Sequence, residues 1–65
     1  MLFLKFMSQS DEAVLVNPEQ IISVAPNGDG TTIVTTAAEN RVMYVKERFS
    51  AVVSLLGRAG FTVIE

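Results

Sequence analysis

The sequence contains no cysteine, no histidine and no tryptophan. Without cysteine there is no disulfide framework, and without cysteine or histidine there is no zinc-finger ligand set or haem-attachment motif. The same absences remove the ordinary serine–histidine and cysteine–histidine constellations of nucleophilic catalysis. Basic charge is scarce too: five Lys plus Arg stand against seven Asp plus Glu, a net charge of −2. Long apolar runs are missing, and none approaches the ~18 residues needed to cross a bilayer. The opening Met1-Leu2-Phe3-Leu4-Lys5-Phe6-Met7 has no basic stretch ahead of its apolar part, and Ser8-Gln9-Ser10-Asp11-Glu12 interrupts it early. That favours a first strand over a secretory leader, and the cytoplasm is the expected compartment.

What is present is 65 residues, 49% of them apolar, with a mean hydropathy of +0.39. One small domain, residues 1–65, is expected, since two domains would need about 100 residues or more. A chain this short buries roughly 60% of its unfolded surface and has little stability to spare. With disulfides and His/Cys metal sites excluded, self-association is the remaining way to add stability.

Short apolar and β-branched runs separated by turn residues describe a meander. Residues 2–7 form a first strand, with Leu2, Leu4 and Phe6 on one face and Phe3, Lys5 and Met7 on the other. Residues 12–16 return, with Val14 and Val16 opposing Ala13 and Leu15. Both faces are apolar, whereas a sheet with one wet face alternates cleanly; a helix covers one side and a partner subunit is expected on the other. Asn17-Pro18-Glu19 is a turn, because proline fixes its own φ and pushes Asn17 out of the helical region. Residues 20–25 give a third strand and residues 31–36 a fourth, separated by a loop at Pro26-Asn27-Gly28-Asp29-Gly30. Ala37-Ala38-Glu39-Asn40 makes another hairpin loop before a fifth strand at residues 41–46.

The period then changes. Phe49, Val52, Val53 and Leu56 are spaced i, i+3, i+4, i+7, an amphipathic helical stripe. No clear capping box opens this helix, while Gly60 suits its C′ position and Arg58 its last turn. Phe61-Thr62-Val63-Ile64 alternates again, in keeping with a short terminal strand. The expected fold class is α+β, mainly β: an antiparallel five-stranded meander or half-barrel followed by one amphipathic helix.

The segments Val16-Asn17-Pro18-Glu19-Gln20-Ile21, Thr32-Ile33-Val34 and Met43-Tyr44-Val45-Lys46-Glu47, with the Val52-Val53 helix, resemble the FlbD/SwrD family. Those are short flagellar and swarming-motility proteins, and the resemblance covers roughly residues 2–57. The chain departs from the family pattern at Asn27-Gly28-Asp29-Gly30, a longer loop, and at Ala37-Ala38-Glu39-Asn40, which replaces an asparagine-glycine turn. It is also similar to the early part of the LytTR domain, whose helix leads to a closing Gly-Phe, here Gly60-Phe61. That likeness implies DNA reading, but LytTR proteins use basic residues and a segment after Gly-Phe that has no counterpart in these residues.

Carboxylates are the remaining acid–base groups, and most fall in turns, where solvated side chains are expected; no enzymatic activity is anticipated. Asn27-Gly28-Asp29-Gly30 offers a single carboxylate, too little for a calcium loop needing 6–8 oxygens. Its backbone N–H groups form a candidate anion nest, with a plain hairpin turn as the simpler reading. Arg41, Lys46 and Arg48 are close in sequence, and Tyr44 between them is placed to cover a planar ligand. Arg41 and Lys46 differ in parity and so face opposite sides of a regular strand. With Glu47 between Lys46 and Arg48, and a net negative charge, this argues against nucleic acid.

The residues therefore point to a non-enzymatic homo-oligomeric binding or regulatory module acting through protein interaction. An alternative is an oligomer that sequesters a small anionic metabolite or nucleotide at a subunit interface, through Arg41, Tyr44, Lys46 and Arg48. A LytTR-like DNA-binding regulator is third. Leu2, Phe3, Leu4 and Phe6 are the candidate oligomer contacts, and no metal, cofactor or membrane is called for.

Overall fold

The computed structural model describes residues 1–39 and 41–65. Its strands are β1 (Leu4–Met7), β2 (Ala13–Val16), β3 (Ile21–Asn27), β4 (Gly30–Thr35) and β5 (Val42–Val45), followed by the helix α1 (Phe49–Arg58). A turn of 3-10 helix, Pro18–Gln20, lies between β2 and β3. The protein is α+β and mainly strands, as anticipated.

The continuous five-stranded meander is not what forms. β1 and β2 pair as one antiparallel sheet, β3, β4 and β5 as another, and no closed barrel arises among the described residues. The split follows from Asn17-Pro18. The Asn17 side chain accepts from the Glu19 N–H at 3.0 Å, and proline is well suited to the first turn of a helix. The chain is thereby redirected instead of doubling back, so β2 and β3 are not neighbours. The two sheets meet through β5: Ser8 bridges to Val45, the Lys46 N–H donates to the Met7 carbonyl at 2.8 Å, and the Gln9 N–H donates to the Tyr44 carbonyl at 3.1 Å.

Strand parity places the core. Leu4 opposes Val16 and Phe6 opposes Val14, so these side chains share one face. Leu4, Phe6 and Val16 meet Ile33, Val45 and Val52 in the buried cluster. This corrects the assignment of Leu4 and Phe6 to an oligomer contact: Phe6 is 1% and Leu4 8% exposed within a single chain, and their surface is already used. Leu2 and Phe3 stay half-exposed.

The loop at Asn27-Gly28-Asp29-Gly30 is tighter than expected. Asn27 pairs with Gly30, leaving Gly28-Asp29 as a two-residue hairpin turn, with Gly28 at φ 59°. Two-residue hairpins need positive φ at a central position, which glycine supplies without strain. Pro26 therefore lies inside β3 opposite Thr31, on an edge strand where its missing N–H is tolerated. Asn40, assigned to the next loop, lies outside the described residues.

On α1, Val52 is fully buried, and Val53, Leu55 and Leu56 are half-buried. Phe49 is exposed at the first position of the helix, so of the expected stripe Val52, Val53 and Leu56 turn inward, joined by Leu55 and Ala59. Arg48 is the N-cap and makes no side-chain capping bond. The far end closes as a Schellman motif, with the Phe61 N–H donating to the Leu56 carbonyl at 3.0 Å and the Gly60 N–H to Gly57 at 3.1 Å. Gly60 takes φ 99°. The expected terminal strand at 61–64 does not form: that segment has no strand partner among the described residues.

Candidate functional site

The sequence candidates separate into distinct places. Lys46, just after β5, ion-pairs with Asp11 in the β1–β2 turn, both side chains being exposed. Exposed pairs contribute at most about 1 kcal/mol. Lys46 also borders a shallow depression with Gln9, Asn27, Asp29 and Gly30. Arg48 borders a second depression on the other side of the same hairpin tip, with Gly28, Asp29 and Gly30. The fold thus brings Lys46, Arg48 and the 27–30 turn together, and it places the Asp29 carboxylate among them, which opposes anion binding.

Arg41 and Tyr44 do not join that group. Arg41 is exposed, and its carbonyl accepts from the Thr35 N–H at 2.7 Å. Tyr44 is half-exposed and lines a cleft elsewhere. The proposed set of three cations and one tyrosine is therefore spread over the surface. The physical reason is that Val45 turns inward while the chain after it leaves the sheet for α1.

Gly30 has a role that its loop position conceals. A Cβ built there would sit 2.3 Å from the Val45 carbonyl oxygen, so the hairpin tip packs directly against the backbone of β5. Glu47 was read from sequence as a charge that weakens phosphate attraction. Both its carboxylate oxygens instead accept from the Met7 N–H, at 3.1 and 3.0 Å. Its carbonyl accepts from the hydroxyl of fully buried Thr31 at 2.7 Å. Glu47 clasps β1 to the start of α1 across 40 residues of sequence, and nothing local in the sequence signals this. Among the described residues, no three Asp or Glu side chains gather to hold a metal ion.

Two features were missed. A cleft of about 520 Å³ opens between β2 and the β4–β5 pair, with Val14, Val16, Met43, Gln20, Thr35 and Tyr44 among its walls. A second apolar region joins the start of the chain to the segment after α1. Leu2 lines one hollow with Met1, Pro18, Ala59 and Phe61, and another with Phe3, Leu55 and Arg58. Met1 is 99% exposed there, and Ile64, beyond Phe61 in the chain, is 90% exposed. Alternation at 2–7 and 61–64 carried a signal for apolar segments but not for their convergence.

No protein-family model, curated protein or solved structure matches the chain. No described helix is long and apolar enough to cross a membrane.

Proposed function

We propose that this chain is a non-enzymatic, self-associating module that acts through protein interaction. Surface area carries the reading. The chain exposes 4647 Å², whereas a compact monomer of its mass exposes about 4,100 Å². Met1, Leu2, Phe3, Phe61, Val63 and Ile64 are all exposed large hydrophobics. Contiguous apolar patches beyond a few hundred Å² mark interaction sites. The open arrangement of two sheets linked by one bridge fits a half-barrel completed by a partner copy.

Light scattering on the full chain tests this. The expected mass is a multiple of 7.1 kDa, and Phe3→Asp reduces it to the single-chain value with the circular dichroism spectrum retained. A wild-type chain that stays single at all concentrations refutes the proposal.

A second reading, a small anionic ligand held at the hairpin tip by Lys46 or Arg48, rests on the nearness of both cations to the 27–30 turn and works against the charge of Asp29. A ligand at about 100 times its Kd adds roughly 2.7 kcal/mol, so a nucleotide and phosphate panel would raise Tm. No shift in Tm with any member removes this reading.

A further inference from the structure

We infer that the segment 62–64 of one copy adds as a strand to the free edge of β2 in a second copy. This rests on the self-association proposed above and names the contact that makes it.

The donor has strand chemistry and no strand partner. Phe61-Thr62-Val63-Ile64 alternates and is rich in β-branched and aromatic residues, which favour strands. Among the described residues no hydrogen bond reaches 62–64, and Val63 and Ile64 are exposed. The bond from the Phe61 N–H to Leu56 fixes the root of the segment, so the residues beyond project from a defined point.

The acceptor is an undefended edge. β2 pairs with β1 alone. The Ser8 N–H donates to the Glu12 carbonyl at 2.8 Å, which sets the phase of the ladder. Val14 and Val16 therefore exchange bonds with β1, and Ala13 and Leu15 aim their N–H and C=O groups outward. The edge reads Ala-Val-Leu-Val, with neither proline nor charge, and Leu15 is 66% exposed. β3, the other outer strand, carries Pro26 and a bulge between Ile21 and Ser23, devices that block edge pairing. Beside β2 lies the 520 Å³ cleft, open to the alternate side chains of a strand laid along that edge.

The occupant is a second copy because each chain carries both the unpaired segment 62–64 and the unprotected β2 edge. A two-fold exchange satisfies both at once and closes the assembly.

The test uses the full chain and two proline variants. Val63→Pro removes an N–H from the donor, and Leu15→Pro removes an outward N–H from the edge, leaving the β1 ladder bonds in place. The expected results are a wild-type mass twice 7.1 kDa and single-chain masses for both variants with unchanged circular dichroism. An equimolar mixture of the two, with one donor and one edge intact, is expected to form a dimer only at much higher concentration than wild type. If Leu15→Pro fails to fold, Leu15→Lys replaces it. A Val63→Pro variant that stays dimeric overturns the inference; loss of the dimer in Phe3→Asp then leaves self-association standing. Loss in Leu15→Pro alone points to β2 pairing with its own copy and also overturns the inference. A single-chain wild type overturns both the inference and the self-association beneath it.

Discussion

Three glycine-to-alanine substitutions place three separate forces on one scale. At Gly30 the new methyl would lie 2.3 Å from the Val45 carbonyl oxygen, where ordinary contacts begin at 3.4 Å. The obstacle is backbone, not the end of a flexible side chain, so β4 and β5 must separate by about 1 Å at their Thr31–Val45 pair. Val45 also bridges to Ser8, and its carbonyl accepts from the Gln9 side chain at 3.4 Å, so the displacement reaches the junction of the two sheets. Overpacking costs about 1–3 kcal/mol, and a rigid obstacle at a junction takes the upper end. A chain of this length has a total stability of about 3–10 kcal/mol. At about 4–8 °C per kcal/mol, Gly30→Ala should lower Tm by about 12–24 °C. Gly28→Ala meets no atom within 4 Å but holds φ at 59°. Its cost is about 1–2 kcal/mol for a left-handed non-glycine residue. Gly57 is exposed inside α1 with nothing within 4 Å, so alanine there should stabilise by about 0.5–1 kcal/mol through helix propensity. Melts followed by circular dichroism at one fixed protein concentration should rank Gly57→Ala above wild type, then Gly28→Ala, then Gly30→Ala. A Gly30→Ala variant that melts within about 3 °C of wild type, or above Gly28→Ala, refutes the close approach of the hairpin tip to β5.

Removing the Glu47 clasp tests the junction from its other side. Glu47→Ala leaves the part-buried Met7 N–H without its acceptor and should cost about 1–3 kcal/mol in urea unfolding. Glu47→Gln keeps one acceptor oxygen and should lose less; equal losses would show that the bond is not what matters. Phe6→Ala, at a site 1% exposed, should cost about 3–5 kcal/mol. Tm by circular dichroism should fall by at least about 12 °C, and a cooperative melt near the wild-type Tm would contradict the core assignment. Lys46→Met removes an exposed ion pair and should change stability by less than about 1 kcal/mol. A larger loss in urea unfolding would mean that the pair anchors the β1–β2 turn.

Alternation was sufficient to locate the strands because the pleat makes parity a local property. Leu4, Phe6, Val14 and Val16 face inward as their spacing requires, and Val52 does so by helical period. Properties that depend on distant partners were not legible. Leu2 shares the parity of Leu4 and Phe6, yet it is half-exposed while they are core. Register against Val16 and Val14 decides between them. Gly28 and Gly30 stand two residues apart in one turn and read as equivalents. One is required for its φ and the other for the nearness of Val45. Glu47 acts on Met7, a relation that no window of sequence contains. Of the candidate site, Lys46, Arg48 and the 27–30 turn were legible only as separate candidates, their convergence was not, and the cleft beside β2 left no trace.

The segment 61–64 shows most clearly where local chemistry stops being enough. Its residues favour an extended strand, but a strand is stabilised by the ladder and side-chain pairs it makes with a neighbour. Within one chain that neighbour is absent among the described residues, so the preference goes unexpressed. β2 presents the complementary condition, an edge with outward backbone groups and nothing paired to them. An unprotected edge of this kind attracts any available strand. A short chain without proline or charge on that edge therefore either pairs in a defined way with its own copies or aggregates. The Val63→Pro and Leu15→Pro variants separate these outcomes: defined pairing predicts two soluble single chains, whereas uncontrolled edge association predicts that Val63→Pro, with its edge still open, aggregates more than wild type.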